Sequence, residues 1–133
     1  MAITDYIPQR PPFVMIDELL SATPTGAETR WKVPAENVLL VENELPAAGL
    51  MENVAQSAAA WIGKQARDKN EPVRIGVIGA VKKMTVHRLP QVGETLQTTI
   101  SVIESVFDIT LIHAVIQSEN GLVAELNLKI ALQ

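Results

Sequence analysis

Four polar side chains stand among apolar neighbours in this sequence: Glu52, Gln56, His87 and His113. Glu52 and Gln56 are spaced i, i+4, so on a helix they share one face. A carboxyl held in an apolar wall has a raised pKa and can serve as general acid or base. The plainer alternative is a solvated first-turn glutamate, which the helix dipole favours. His87 closes a β-branched segment next to Arg88, and His113 lies in the alternation Ile109, Leu111, His113, Val115. A histidine in such a strand is either a hydrogen-bonded structural group or a proton carrier, and geometry decides between them.

Other chemistries find little support. The chain has no cysteine, which removes disulfides, thiolate nucleophiles and Cys-based metal centres. Two histidines without a carboxylate motif predict no metal site. Ser57, Ser101 and Ser118 lie outside any G-x-S-x-G elbow, and there is no glycine-rich phosphate loop, so hydrolase triads, nucleotides and other cofactors are not expected. A net charge of −4, from 11 basic and 15 acidic residues, has the wrong sign for a general nucleic-acid binder. The most apolar short run, Ile75 to Val81, is far below the ~18 residues of a membrane span. Met1 to Asp5 lacks the pattern of a signal peptide, and a cytoplasmic location is expected.

The elements that must position Glu52 and Gln56 follow from periodicity. With 133 residues, 47% of them apolar, the chain can form a core of its own, and residues 1–133 are expected to be a single domain. Prolines 8, 11 and 12 make Tyr6 to Phe13 an extended or turning arm. Phe13 to Leu20 and Glu28 to Val33, with a turn at Thr23 to Gly26, are expected to pair as a hairpin. A loop from Pro34 to Pro46 precedes a helix from Ala47 to about Lys69, whose apolar residues include Leu50, Val54, Ala58 and Ile62. Ala60, Trp61 and Gly63 on its other side predict a helix wrapped by other structure rather than lying on a surface.

Four β-branched segments come next, Arg74 to Val86, Thr95 to Glu104, Ile109 to Ser118 and Leu122 to Leu132. Asn120-Gly121 is a hairpin signal that makes the last strands antiparallel neighbours. The order is α+β: an antiparallel sheet wrapped around one long central helix, with an exposed sheet edge as a place for dimer pairing.

Two motifs give this order a family resemblance. The arm Ile7-Pro8-Gln9-Arg10-Pro11-Pro12-Phe13-Val14-Met15-Ile16-Asp17 is similar to the L-P-H-R-x-P-F-L-L-V-D opening of the hotdog-fold 3-hydroxyacyl-acyl-carrier-protein dehydratases. Leu50-Met51-Glu52-Asn53-Val54-Ala55-Gln56 resembles their L-I-x-E-A-M-A-Q helix, and Val86 to Glu94 is similar to their F-R-R-P-V-V-P-G-D segment. The chain also resembles the shorter, diverged members of aryl-polyene and related pigment pathways, some of which act beside a second hotdog subunit.

The resemblance implies a lyase acting on acyl thioesters of fatty acid or polyene synthesis, with Glu52 as general acid or base and Gln56 orienting it. One departure stands out: the family's catalytic histidine falls at Val38, and the loop from Asn37 to Pro46 contains no histidine. A paired subunit, or His87, would have to supply the second group. The resemblance further implies an acyl chain lined by Leu50, Val54 and Met84, and a thioester carbonyl held by backbone N–H groups near Ala47, Ala48 and Gly49. Expected partners are an acyl carrier protein or coenzyme A thioester, with Lys82, Lys83 and Arg88 as candidate docking cations, and a second hotdog chain in a homodimer or heterodimer. Two alternatives remain: an inactive hotdog subunit that binds acyl chains or supports an active dehydratase partner, and an acyl thioesterase using a lone helix carboxylate.

Overall fold

The computed structural model describes residues 2–133. After a short 3-10 turn (Ile3–Asp5), the chain forms β1 (Glu18–Thr23), β2 (Gly26–Lys32), α1 (Ala47–Asp68), β3 (Gly76–Val86), β4 (Thr95–Val106), β5 (Ile109–Ser118) and β6 (Gly121–Leu132). The six strands make one sheet in the order β1-β2-β4-β5-β6-β3, every neighbour antiparallel. The helix interrupts the strand sequence once and packs against the sheet, the α+β arrangement that the sequence predicts.

Pro46 sets the start of α1. Its extended backbone (φ −74°, ψ 171°) turns the loop into the helix, and its carbonyl accepts the N–H groups of Gly49 and Leu50. The helix stops where Asn70 takes a left-handed conformation (φ 54°), a common helix terminator. Leu50, Val54 and Ala58 are buried against Trp31, Leu96, Ile112 and Leu126 of the sheet, where removal from water stabilises the fold. On another side Ala60 joins Ile7 and Ile16 of the arm in a second buried cluster, so the helix is indeed covered from two directions. Gly63 permits that contact, because a Cβ there would lie 2.2 Å from the Tyr6 carbonyl oxygen.

The expected hairpins form, but the first is shifted: β1 begins at Glu18 rather than Phe13 and β2 at Gly26 rather than Glu28, and since Thr23 pairs with Gly26 the turn is only Pro24-Thr25. Gly121, at φ +115°, makes the tight β5–β6 turn. The β4–β5 turn is shorter than the separator Ser105 to Asp108, since the ladder continues through Ser105↔Thr110 and Val106↔Ile109. Phe107 accommodates this by adopting φ 53°, a conformation that the residue type does not signal. At the opposite edge β3 pairs only with β6, leaving Val77, Ile78 and Val81 exposed.

Candidate functional site

Glu52 lies on the second turn of α1 and is partly buried. It lines a cavity of about 580 Å³ between the helix, the arm, the segment 73–78 and β6. This volume falls within the roughly 300–1,000 Å³ of ordinary ligand pockets. The helix contributes Ala55, Ala58, Ala59 and Ile62, the sheet side Val77, Ile78, Leu128 and Ile130, and the arm Tyr6, Gln9 and Arg10. The walls are thus mostly apolar, with Glu52 from the helix and Asp5, Gln9, Arg10 and Arg74 as their charged or amide members.

Gln56 fixes that carboxylate. Its Nε2 donates to Glu52 Oε1 (2.9 Å) and to the Phe13 carbonyl (2.7 Å), while its Oε1 accepts the Met15 N–H (2.6 Å). The amide is fully buried, so each of these bonds satisfies a group that would otherwise be costly to bury. Glu52 Oε2 has no protein hydrogen-bond partner among the described residues, which leaves one carboxyl oxygen for a ligand.

Asn53, which the sequence offers no reason to single out, extends the same clamp. Its Nδ2 donates to the Met15 carbonyl (2.8 Å), and its Oδ1 accepts the Thr98 hydroxyl (2.6 Å) on β4. Ser57 bridges the Asn53 carbonyl (2.8 Å) and the Thr29 hydroxyl (2.7 Å) on β2. One helix face is therefore bonded both to the arm and to two strands. The arm itself is tied down by Asp17, whose Oδ2 accepts the Lys32 N–H (2.8 Å), and is turned by Arg10, whose Nη1 donates to the Ile7 and Gln9 carbonyls. The motif residues of the arm act as fasteners around Glu52.

Several expected site residues are placed elsewhere. His87 is exposed, and its Nε2 is 3.3 Å from Glu125 Oε2; it is not part of the cavity wall, because it follows the far end of β3 from the segment 73–78. His113 faces outward from the sheet with Leu111 and Val115, and its Nδ1 pairs with Asn127 Oδ1 (2.8 Å). Leu50 and Val54 are completely buried in the main core, and Met84 packs against that core, so none of the three lines the cavity. The helical residues facing the cavity are instead Ala55, Ala58, Ala59 and Ile62. Gly49 is buried under Leu45 and its N–H is already bonded to Pro46, whereas Ala47 and Ala48 are exposed, outside the cavity wall. Val38 is 50% exposed.

Arg88 is likewise committed. Its guanidinium pairs with Glu94 (2.7 Å), which also accepts the Gln91 N–H, the Ser118 hydroxyl and the Asn120 amide. Burial alone would raise the Glu94 pKa, but the Gln91 N–H, Arg88, Asn120 and Ser118 together hold it below its ordinary value. The segment between β3 and β4 is thereby anchored to the β5–β6 turn. Among the described residues no group of three or more His, Asp or Glu side chains is arranged to hold a metal ion, and no helix is long and apolar enough to cross a membrane.

An antiparallel sheet wrapped around one long helix, with a carboxylate of that helix in a cavity wall, defines a hotdog-fold protein. The match to the family model of ApeP-like proteins, described as ApeP dehydratase, runs over residues 1–132, and the chain belongs to that family. Among solved structures, the dehydratase heterocomplex ApeI:P from Xenorhabdus doucetiae superposes with a TM-score of 0.92 at 14% identity, covering 100% of this chain and 91% of that one. The PaaI protein from the phenylacetic acid degradation operon of E. coli has a TM-score of 0.70 at 17% identity, covering 86% of this chain and 81% of that one. A hypothetical thioesterase from Streptococcus pneumoniae, solved with coenzyme A, has a TM-score of 0.70 at 10% identity, covering 87% and 84%. At these identities the likeness is one of fold. Among curated proteins none matches the sequence.

Proposed function

We propose that this chain acts on 3-hydroxyacyl thioesters, carried by acyl carrier protein or coenzyme A, in fatty acid or polyene synthesis, with Glu52 as general acid–base. The observation that carries this reading is the Glu52 carboxyl in the wall of an apolar cavity, with one oxygen fixed by Gln56 and the other unpartnered among the described residues. Dehydration removes a proton from C2, forms the C2–C3 double bond and releases the C3 hydroxyl as water once it is protonated. One group must take the first proton and a group must give the second. The acyl chain would run along Ala55, Ala59 and Ile62, whose small or apolar side chains leave room for it.

The described cavity wall contains no histidine, and Val38 stands where the family resemblance expects one. In this reading a second hotdog chain supplies that group. The free edge of β3, with Val77, Ile78 and Val81 exposed, suits pairing with such a chain, and a member of the same fold is described as a dehydratase heterocomplex. Lys82 and Lys83 on that strand are exposed and suit an acidic carrier, while Arg88 is occupied by Glu94.

The missing histidine also favours a second reading, a hotdog subunit that binds acyl chains and supports an active dehydratase without turning over itself. Hydration of crotonyl and longer enoyl thioesters, the reverse reaction, separates the two. Activity lost in Glu52→Gln, whether of the full chain alone or of its mixture with a histidine-bearing hotdog chain, supports the enzyme; activity of the mixture that is unaffected by Glu52→Gln supports the helper subunit. Hydrolysis of the thioester without hydration would instead mark a thioesterase.

A further inference from the structure

A second cavity, of about 300 Å³, adjoins the one that contains Glu52, and the two have Ile62, Arg74 and Ile130 in common. Residues that line both cavities form the wall between them. At that wall Ile62 and Ile130 converge, since a Cβ placed on Gly76 would lie 3.2 Å from Ile62 Cδ1 and 2.9 Å from Ile130 Cγ2. Arg74 is held there by Asp108 (2.9 Å) and by the Gln133 and Leu132 carbonyls, and Ile130 is buried in the main core. Ile62 is only partly buried and belongs to the helix face that carries Glu52, Ala55, Ala59 and Ala66. On that face it is the bulky member among alanines: Ala55 and Ala59 line the first cavity, Ala66 the second, and Ile62 stands between them.

We infer that Ile62 determines the length of acyl chain this site accepts, by closing the Glu52 cavity against the second one. The inference rests on the acyl-thioester reading above. At a rise of about 1.5 Å per residue, Ile62 stands about 15 Å along α1 from Glu52, so a chain whose thioester end lies at the carboxylate meets Ile62 with its far end. The space behind Ile62 offers apolar surface at Trp61, Ala66 and Leu132. Its polar groups are largely answered within the protein: Trp61 Nε1 donates to the Thr23 carbonyl (2.7 Å), the Ser105 and Thr110 hydroxyls share a hydrogen bond (3.2 Å), and Arg74 is paired with Asp108. Lys69 and Glu71 are exposed, where water meets their charge. The second cavity therefore needs no polar ligand of its own and suits methylenes that pass Ile62.

The test measures binding of acyl-coenzyme A thioesters of increasing length, from butyryl to hexadecanoyl and kept below micelle formation, to the full chain and to Ile62→Ala by calorimetry. Each methylene that enters an apolar site is worth roughly fourfold in affinity. Wild type is expected to gain affinity with length up to a limit, and Ile62→Ala to go on gaining past it, binding the longest thioester about tenfold or more tighter than wild type does. Adding Ala66→Phe, which narrows only the second cavity, to Ile62→Ala is expected to bring the limit back. Ile62 packs against the core, so unfolding midpoints are followed alongside; Ile62→Val, one methylene smaller, is expected to move the limit in the same direction and serves if Ile62→Ala does not fold. A wild-type profile without a limit, a limit that stays in place in the folded Ile62 variants, or a gain that Ala66→Phe leaves intact would overturn the assignment of Ile62 and leave the acyl-thioester site standing. Binding of none of the thioesters by wild type would overturn the acyl-thioester reading, and this inference with it.

Discussion

Gln56 holds Glu52 from one helical turn away, its Nε2 2.9 Å from the carboxyl Oε1, and the same amide bonds Phe13 and Met15 of the N-terminal arm. The orientation of the candidate acid–base group is thus coupled to the seating of the arm, whose residues also form part of the cavity. A change in either is felt by the other through one buried amide.

Replacing Gln56 with Leu keeps the volume but leaves the buried Met15 N–H without a partner and takes the donor from the part-buried Phe13 carbonyl. A buried group left without its partner costs about 1–3 kcal/mol, so Gln56→Leu is expected to lose about that much stability in urea unfolding. It should also lower enoyl-thioester hydration, because Glu52 loses its only protein hydrogen-bond donor among the described residues. Unchanged stability would contradict the clamp.

How much of this was legible in the sequence differs by the range of the interaction. Helical periodicity and Pro46 located α1 to within a residue at either end, and Asn120-Gly121 located the last hairpin, because those signals are local. The i, i+4 spacing of Glu52 and Gln56 likewise showed that the two could meet. What Gln56 does otherwise depends on backbone groups 41 and 43 residues away in the chain, which no spacing rule reaches. Asn53 stayed hidden for the same reason, its partners being 38 and 45 residues distant. Leu50, Val54 and Met84 were expected at the acyl chain because an apolar pattern marks burial without distinguishing core from cavity wall.

That distinction can be measured at Leu50, which is completely buried in the main core. Leu50→Ala is expected to cost about 2–5 kcal/mol in denaturant unfolding, the range for emptying a close-packed site. Acyl-chain preference should stay the same at temperatures where the variant is folded. A shifted chain-length preference with little loss of stability would return Leu50 to the ligand wall.

Glu94 gives the fold an acid-sensitive point. Its folded-state pKa lies below the ordinary value because the Gln91 N–H, Arg88, Asn120 and Ser118 outweigh the effect of burial. The stability it contributes is therefore complete above the unfolded-state pKa and is lost as pH falls through the folded-state pKa. Glu94→Gln should be less stable than wild type near neutrality, with the difference shrinking as urea midpoints are followed from about pH 7 into the acid range below the ordinary glutamate pKa near 4.3. A difference that stays constant with pH would mean that the Arg88–Glu94 pair does not set this dependence.

The most direct test of the central claim is hydration of an enoyl thioester by wild type and Glu52→Gln under the same conditions, each as the full chain and each mixed with a histidine-bearing hotdog chain. The substitution preserves an oxygen that can accept the Gln56 Nε2 hydrogen bond, so the fold is expected to persist by circular dichroism and unfolding midpoint. Loss of about 100-fold or more of the wild-type rate, the scale of a missing acid–base group, is the predicted result. Equal rates for the two proteins, in whichever setting wild type is active, would contradict a role for Glu52 in the chemistry.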